Sequence, residues 1–203
     1  MSFESFLRLL HRSYDQPQDT ARWILSLNLP RRLALLALAL VAVITTFFAL
    51  GMQQLAKIMA GGDPALANLP ADPMVSLMAS PFAFAALQFG GMILGAVMIH
   101  RVGRLFGGHG TWDQTLPLVA WLQIVMMVLQ LAQVLLVLAL PILALPVILF
   151  AVFSVFFLTA HFTAALHGFT SVGKVLGGII LTLVVVSFGL ATLFLILSPV
   201  QHV

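Results

Sequence analysis

Between Gln114 and Gly173 the chain carries no Asp, Glu, Lys or Arg. A single helical crossing of the hydrocarbon needs only about 20 apolar residues, so this run is too long for one span. Pro141 and Pro146 punctuate it, and proline inside a helix removes a backbone donor and clashes with the preceding turn. The run therefore predicts two membrane helices, near 115–140 and 146–166. Three further stretches have the same character: 33–55 behind Arg31 and Arg32, 82–99 closed by His100 and Arg101, and 172–197 ending before Pro199. Backbone groups in lipid must bond within their own segment, so such spans are helices. The short alternating segments of a membrane barrel are absent.

Composition agrees. Hydrophobic residues are 62% of the 203-residue chain and charged residues 7%, with a mean hydropathy of +1.13. A soluble domain carries roughly 25% charge. These values exclude a disordered tail, a secreted disulfide scaffold and a soluble nucleic-acid binder. There is no Cys, which removes thiolate catalysis and Cys-held metal or iron–sulfur centres. The first apolar run starts only at Leu33 and no A-x-A site closes it, so it is expected to remain as a membrane anchor rather than be cleaved. The fold class expected is an all-α polytopic membrane protein, with five transmembrane helices and an amphipathic interfacial N-terminal helix.

Five spans place the termini on opposite sides. With the N-terminus inside, inner segments hold Arg8, Arg12, Arg22, Arg31, Arg32, Arg101, Arg104 and Lys174, while outer segments hold Lys57 alone. The positive-inside rule then predicts a cytoplasmic N-terminus and an external C-terminus. The net charge of +3 is a matter of topology, and no nucleic-acid partner is expected.

Two parts are expected along the chain: residues 1–30, a cytoplasmic amphipathic segment, and residues 31–200, a five-helix membrane domain. In the first, Phe3, Phe6, Leu7 and Leu10 follow the spacing of one helix face, with Arg8, His11 and Arg12 elsewhere. Pro17 interrupts, and Asp19 or Thr20 is a candidate cap for a second short helix with Trp23, Ile24 and Leu27. Asn28 and Pro30 are candidate cap and first-turn residues for the first span. The N-terminal helix suits the inner leaflet, and its apolar face, with Trp23, is a candidate partner-binding surface. Residues 56–81, rich in Gly, Pro and Asp, predict an outer connector whose Leu and Met residues lie against the membrane.

Polar groups gather at the inner edge. His100, His109, His161 and His167 are the residues nearest to a metal or proton-relay set. Their spacing is poor: His161 and His167 stand about 240° apart around a helix, and no H-E-x-x-H pair occurs. No metal and no cofactor is expected. Gln123, Gln130 and Gln133 share one face of the third span and are candidates for helix–helix packing, or for the lining of a solute path. The interiors of the spans lack charge, which argues against ion-coupled transport. Gly91 with Gly95, and Gly173 with Gly177, have the G-x-x-x-G spacing that lets helices approach, within the chain or between copies. Gly107-Gly108-His109-Gly110 lacks the G-K-[ST] ending of a phosphate loop. An intramembrane enzyme would have only the scattered histidines, Ser154 and Asp113 to work with, and the chain reads as non-enzymatic.

The segment Gly107-Gly108-His109-Gly110-Thr111-Trp112-Asp113-Gln114-Thr115-Leu116, followed by Val119-Ala120-Trp121, resembles the approach to span three in the Yip family, the Ypt/Rab-interacting five-span membrane proteins, in its bacterial branch. His167-Gly168-Phe169-Thr170-Ser171 with Lys174-Val175-Leu176 is similar to the family's connection into its last span, and Pro17 with Ala21-Arg22 also fits. The resemblance covers roughly residues 17–199. It implies a cytoplasmic N-terminus, no enzymatic activity, and a role through association with other membrane proteins or with itself. Eukaryotic members bind prenylated small GTPases in vesicle trafficking. This chain has a short pre-membrane segment and lacks proline late in span three, so GTPase binding is not carried over to it. His109, Trp112 and Asp113 are the candidate partner-binding residues of the inner loop. The excess of Arg over Lys points to a bacterial inner membrane. A small-solute or ion transporter component is the alternative function.

Overall fold

The computed structural model describes residues 2–59 and 80–197. The expected outer connector falls largely outside the described residues, as does the tail Gln201-His202-Val203. The described residues form seven α-helices and one short 3-10 turn, and among them there is no strand. In order they are α1 (Phe3–Asp15), α2 (Pro17–Ser26), α3 (Arg31–Met59), α4 (Pro81–Leu105), α5 (Trp112–Ala139), the 3-10 turn Pro141–Leu143, α6 (Ala144–His167) and α7 (Val172–Leu197). The five helices α3 to α7 are long and apolar enough to cross a membrane, so the protein is a multi-pass membrane protein in contact with the bilayer.

Local chemistry sets the helix ends. The Ser2 hydroxyl accepts the Ser5 N–H at 3.3 Å and starts α1. Pro17 occupies the first turn of α2, where its missing donor would have been unpaired anyway. Ser80 caps α4 ahead of Pro81. Thr111 and Gln114 form a reciprocal capping box at the start of α5. Gly168, with φ +73, ends α6 in the left-handed conformation that glycine adopts without strain.

Three local expectations are corrected. Gln16 takes the cap position of α2 without a side-chain bond. Asp19 instead lies in the first turn, paired to Arg22 at 3.1 Å, and Thr20 is buried inside the helix. Asn28 does not cap α3; it adopts φ +44 just beyond the end of α2, a role in which Asn is tolerated. The second span continues past Ile99 to Leu105, with Arg104 in its last turn, where a cation favours the negative end of the helix.

The buried core lies at one end of the bundle, the end bearing the arginines. It takes Ala34 to Thr46 from α3, Ala96 and Gly103 from α4, Thr115 to Val125 from α5, and Ser154 to His167 from α6. α5 is central: every residue from Thr115 to Ala120 is buried. α3 packs on α4 and α5, α5 on α6, and α7 chiefly on the adjoining end of α6. α2 belongs to the same core, with Ala21 and Ile24 set among Leu118, Leu158, Phe162 and Leu166. Toward the other end the helices carry exposed Leu, Val and Phe, such as Leu135, Ile148, Leu183 and Phe188.

Candidate functional site

His167, the last residue of α6, is buried to 1% exposure. Its Nδ1 accepts the Gly110 N–H at 3.2 Å. That acceptance requires a lone pair on Nδ1, so the neutral ring carries its proton on Nε2. Nε2 accordingly donates to the Ile99 carbonyl at 3.1 Å. The His167 carbonyl accepts the His109 N–H at 3.3 Å, and Phe169 stacks on the ring with centroids 5.6 Å apart. One side chain thus joins the ends of α4 and α6 to the loop before α5.

Three glycines make room for it. A Cβ at Gly103 or Gly108 would fall on the imidazole itself, and one at Gly110 would meet Leu166 Cγ at 2.8 Å. The Gly-Gly-His-Gly stretch is therefore a cradle for a histidine.

The next turn extends the arrangement. The edge of His100 meets Trp112 with ring centroids 5.8 Å apart. Asp113 accepts from Arg31 Nε at 2.7 Å, tying the start of α3 to the start of α5. Of the loop residues expected to face a partner, Trp112 and Asp113 are engaged within the chain, and His109 is exposed.

The N-terminal face divides in the same way. Trp121 Nε1 donates to the Ser13 hydroxyl at 3.0 Å, and Phe6 meets Trp121 edge-on at 6.1 Å. Leu10 packs against the core, whereas Leu7 and Trp23 are exposed. The side chain of Phe3 is outside the described residues.

The three glutamines do not converge. Gln123 lines a cavity, Gln130 is exposed, and Gln133 donates to the Val147 carbonyl at 3.3 Å. A Cβ at Gly91, Gly95, Gly173 or Gly177 would meet nothing within 4 Å, so no close approach inside the chain uses these positions. His161 donates from Nδ1 to the Phe157 carbonyl at 2.8 Å, and Ser154 to the Phe150 carbonyl at 2.7 Å. Among the described residues no group of three or more His, Asp or Glu could hold a metal.

The cavity has a volume of about 820 Å³ and lies between α4 and α7, with α5 and α6 behind it. Most of its wall is apolar. Gln88, Gln123, Thr159, Thr163, Thr182 and, at one end, Thr170, Ser171 and Lys174 are its polar members. Gln88 also accepts from Thr45 at 2.8 Å.

Sequence reasoning did not single out Gln88, Thr163, or the partnership of His167 with three glycines. The spacing of Thr111 and Gln114 is the S/T-x-x-E/Q signal of a helix start and was available. No local signal marks the others.

A family model described as the Yip1 domain matches residues 12–193. No curated protein and no solved structure matches the chain.

Proposed function

Because this chain belongs to the Yip1 family, we propose that it is a non-enzymatic accessory or scaffold protein that associates with other integral membrane proteins or with copies of itself. The observation that carries this reading is the one-sided packing of the bundle. The most apolar stretch of α7 has no fully buried residue, and the helix packs on α6 only near its start, through Val175, Leu176 and Ile179. A helix packed within its own chain only near its start offers a long apolar face to lipid or to other helices. The polar groups at the packed end support the same reading, because His167 and Asp113 are hydrogen-bonded within their own chain and Trp112 packs on His100, which serves architecture.

The protein is proposed to sit in a bacterial inner membrane with the N-terminus in the cytoplasm and the C-terminus outside, from the charge distribution. The free parts of the two candidate surfaces are Leu7 and Trp23 on the N-terminal helices and His109 on the inner loop. The test is gentle detergent extraction of the tagged protein from its own membranes, followed by native gels and mass spectrometry. A stoichiometric partner or a defined homo-oligomer that survives washing is expected. Recovery of a monomer alone would overturn the reading.

A further inference from the structure

We propose that the cavity between α4 and α7 holds one molecule of an anionic phospholipid, its headgroup at Lys174 and an acyl chain along the cavity wall. The volume of about 820 Å³ falls within the roughly 300–1,000 Å³ of ligand-sized sites. The lining follows α4 from Gln88 to the cap residue Phe106 just beyond its end, about 27 Å at 1.5 Å per residue. That is long enough for an acyl chain reaching from one membrane surface toward the midplane. The rim is open, with Leu94 54% and Leu183 49% exposed, so a lipid can enter sideways.

The two ends differ in chemistry, and the difference identifies the occupant. At one end stand Lys174, Ser171 and Thr170. The Lys174 N–H bonds to the Ser171 hydroxyl at 3.4 Å in the first turn of α7, so the start of a helix adds positive potential beside the ammonium. Beyond that end the wall is mostly Val, Ile, Leu, Met and Gly, with the uncharged Gln88, Gln123, Thr159, Thr163 and Thr182 among them and no further charge. A cationic mouth on an apolar trunk complements a phosphate joined to a hydrocarbon chain. Thr163 is a second sign of a missing partner. It lines the cavity at 6% exposure, and its buried hydroxyl has no hydrogen-bond partner among the described residues. Gly91 and Gly95 leave the α4 wall without a side chain at those two positions, with open space where each Cβ would stand.

The test is native mass spectrometry of the purified full chain, titrated with phosphatidylglycerol or phosphatidylcholine. The wild type is expected to retain one phosphatidylglycerol in preference to phosphatidylcholine. Lys174→Ala should weaken that retention about fivefold, the worth of one basic residue at an anionic surface, and Lys174→Arg should preserve it. Gly95→Phe, whose side chain has room to stand in the cavity, should abolish retention while the melting temperature in detergent stays near that of the wild type. Inorganic phosphate alone should leave the melting temperature unmoved. Equal retention of the two lipids would overturn the proposal. So would undiminished retention by both Lys174→Ala and Gly95→Phe, or stabilisation by inorganic phosphate as large as that by phosphatidylglycerol.

Discussion

The Nδ1 atom of His167 accepts the backbone N–H of Gly110 at 3.2 Å, across 57 positions of chain. Through this bond and the one from Nε2 to the Ile99 carbonyl, the imidazole fastens three segments at the packed end of the bundle. Each of its nitrogens is used, and neither is free to ligate a metal or relay a proton.

His167→Ala should therefore be among the most damaging single changes in the chain. It removes a buried ring and leaves the Gly110 N–H and Ile99 carbonyl without partners. A loss of about 2–4 kcal/mol is expected, read as a lower melting temperature in detergent. A change within about 0.5 kcal/mol of the wild type would show that the cradle carries little stability.

Gly108→Ala is predicted to be damaging for the complementary reason, since its new methyl would overlap the ring. Combining it with His167→Ala vacates the space that the methyl needs. The double variant should lose at least about 1 kcal/mol less than the sum of the two single losses. Simple additivity in the same melting experiment would break the link between the two positions.

The Ser13–Trp121 bond holds α1 on the bundle. Ser13→Ala leaves the Trp121 N–H unpaired, at a cost of about 1 kcal/mol. Tryptic cleavage after Arg8 and Arg12 should speed up while cleavage elsewhere does not. Unchanged rates would mean that the aromatic contact of Phe6 with Trp121 suffices.

Leu10 and Leu7 separate folding from association. Leu10→Asp puts a charge against the core and should lower the melting temperature strongly. Leu7 is 46% exposed, so Leu7→Asp should keep stability within about 0.5 kcal/mol while reducing partner recovery in the extraction experiment. Full recovery with Leu7→Asp would remove the α1 face from the candidate surfaces.

The Arg31–Asp113 pair is half exposed, with side chains 54% and 65% accessible. Exposed pairs contribute about 0.2–1 kcal/mol. Arg31→Ala and Asp113→Ala should each cost that much, and the double variant no more than either, with the effect shrinking as salt is added. A far larger loss from Asp113→Ala alone would assign Asp113 a role beyond this pair.

The number of spans, their helical nature and most of their limits were written in the sequence. Hydropathy is a sum over contiguous residues, and lipid leaves the backbone no alternative to the helix. Helix ends were less legible where several nearby polar residues competed for a cap: Asp19 and Thr20 were the candidates for α2, and Gln16 takes the position. What only the tertiary structure decided were the relations between distant residues: His167 with Gly110, Arg31 with Asp113, Ser13 with Trp121. These depend on the order of the helices and on their rotation about their own axes, which a uniformly apolar span does not encode. The glycines make the point most directly. The G-x-x-x-G spacing of Gly91 and Gly95 suggested close packing, yet both border open space, while Gly103 and Gly108 bear on a ring more than fifty residues away in the chain. A glycine records that a side chain is absent, and only the neighbours brought up by folding determine what uses the room.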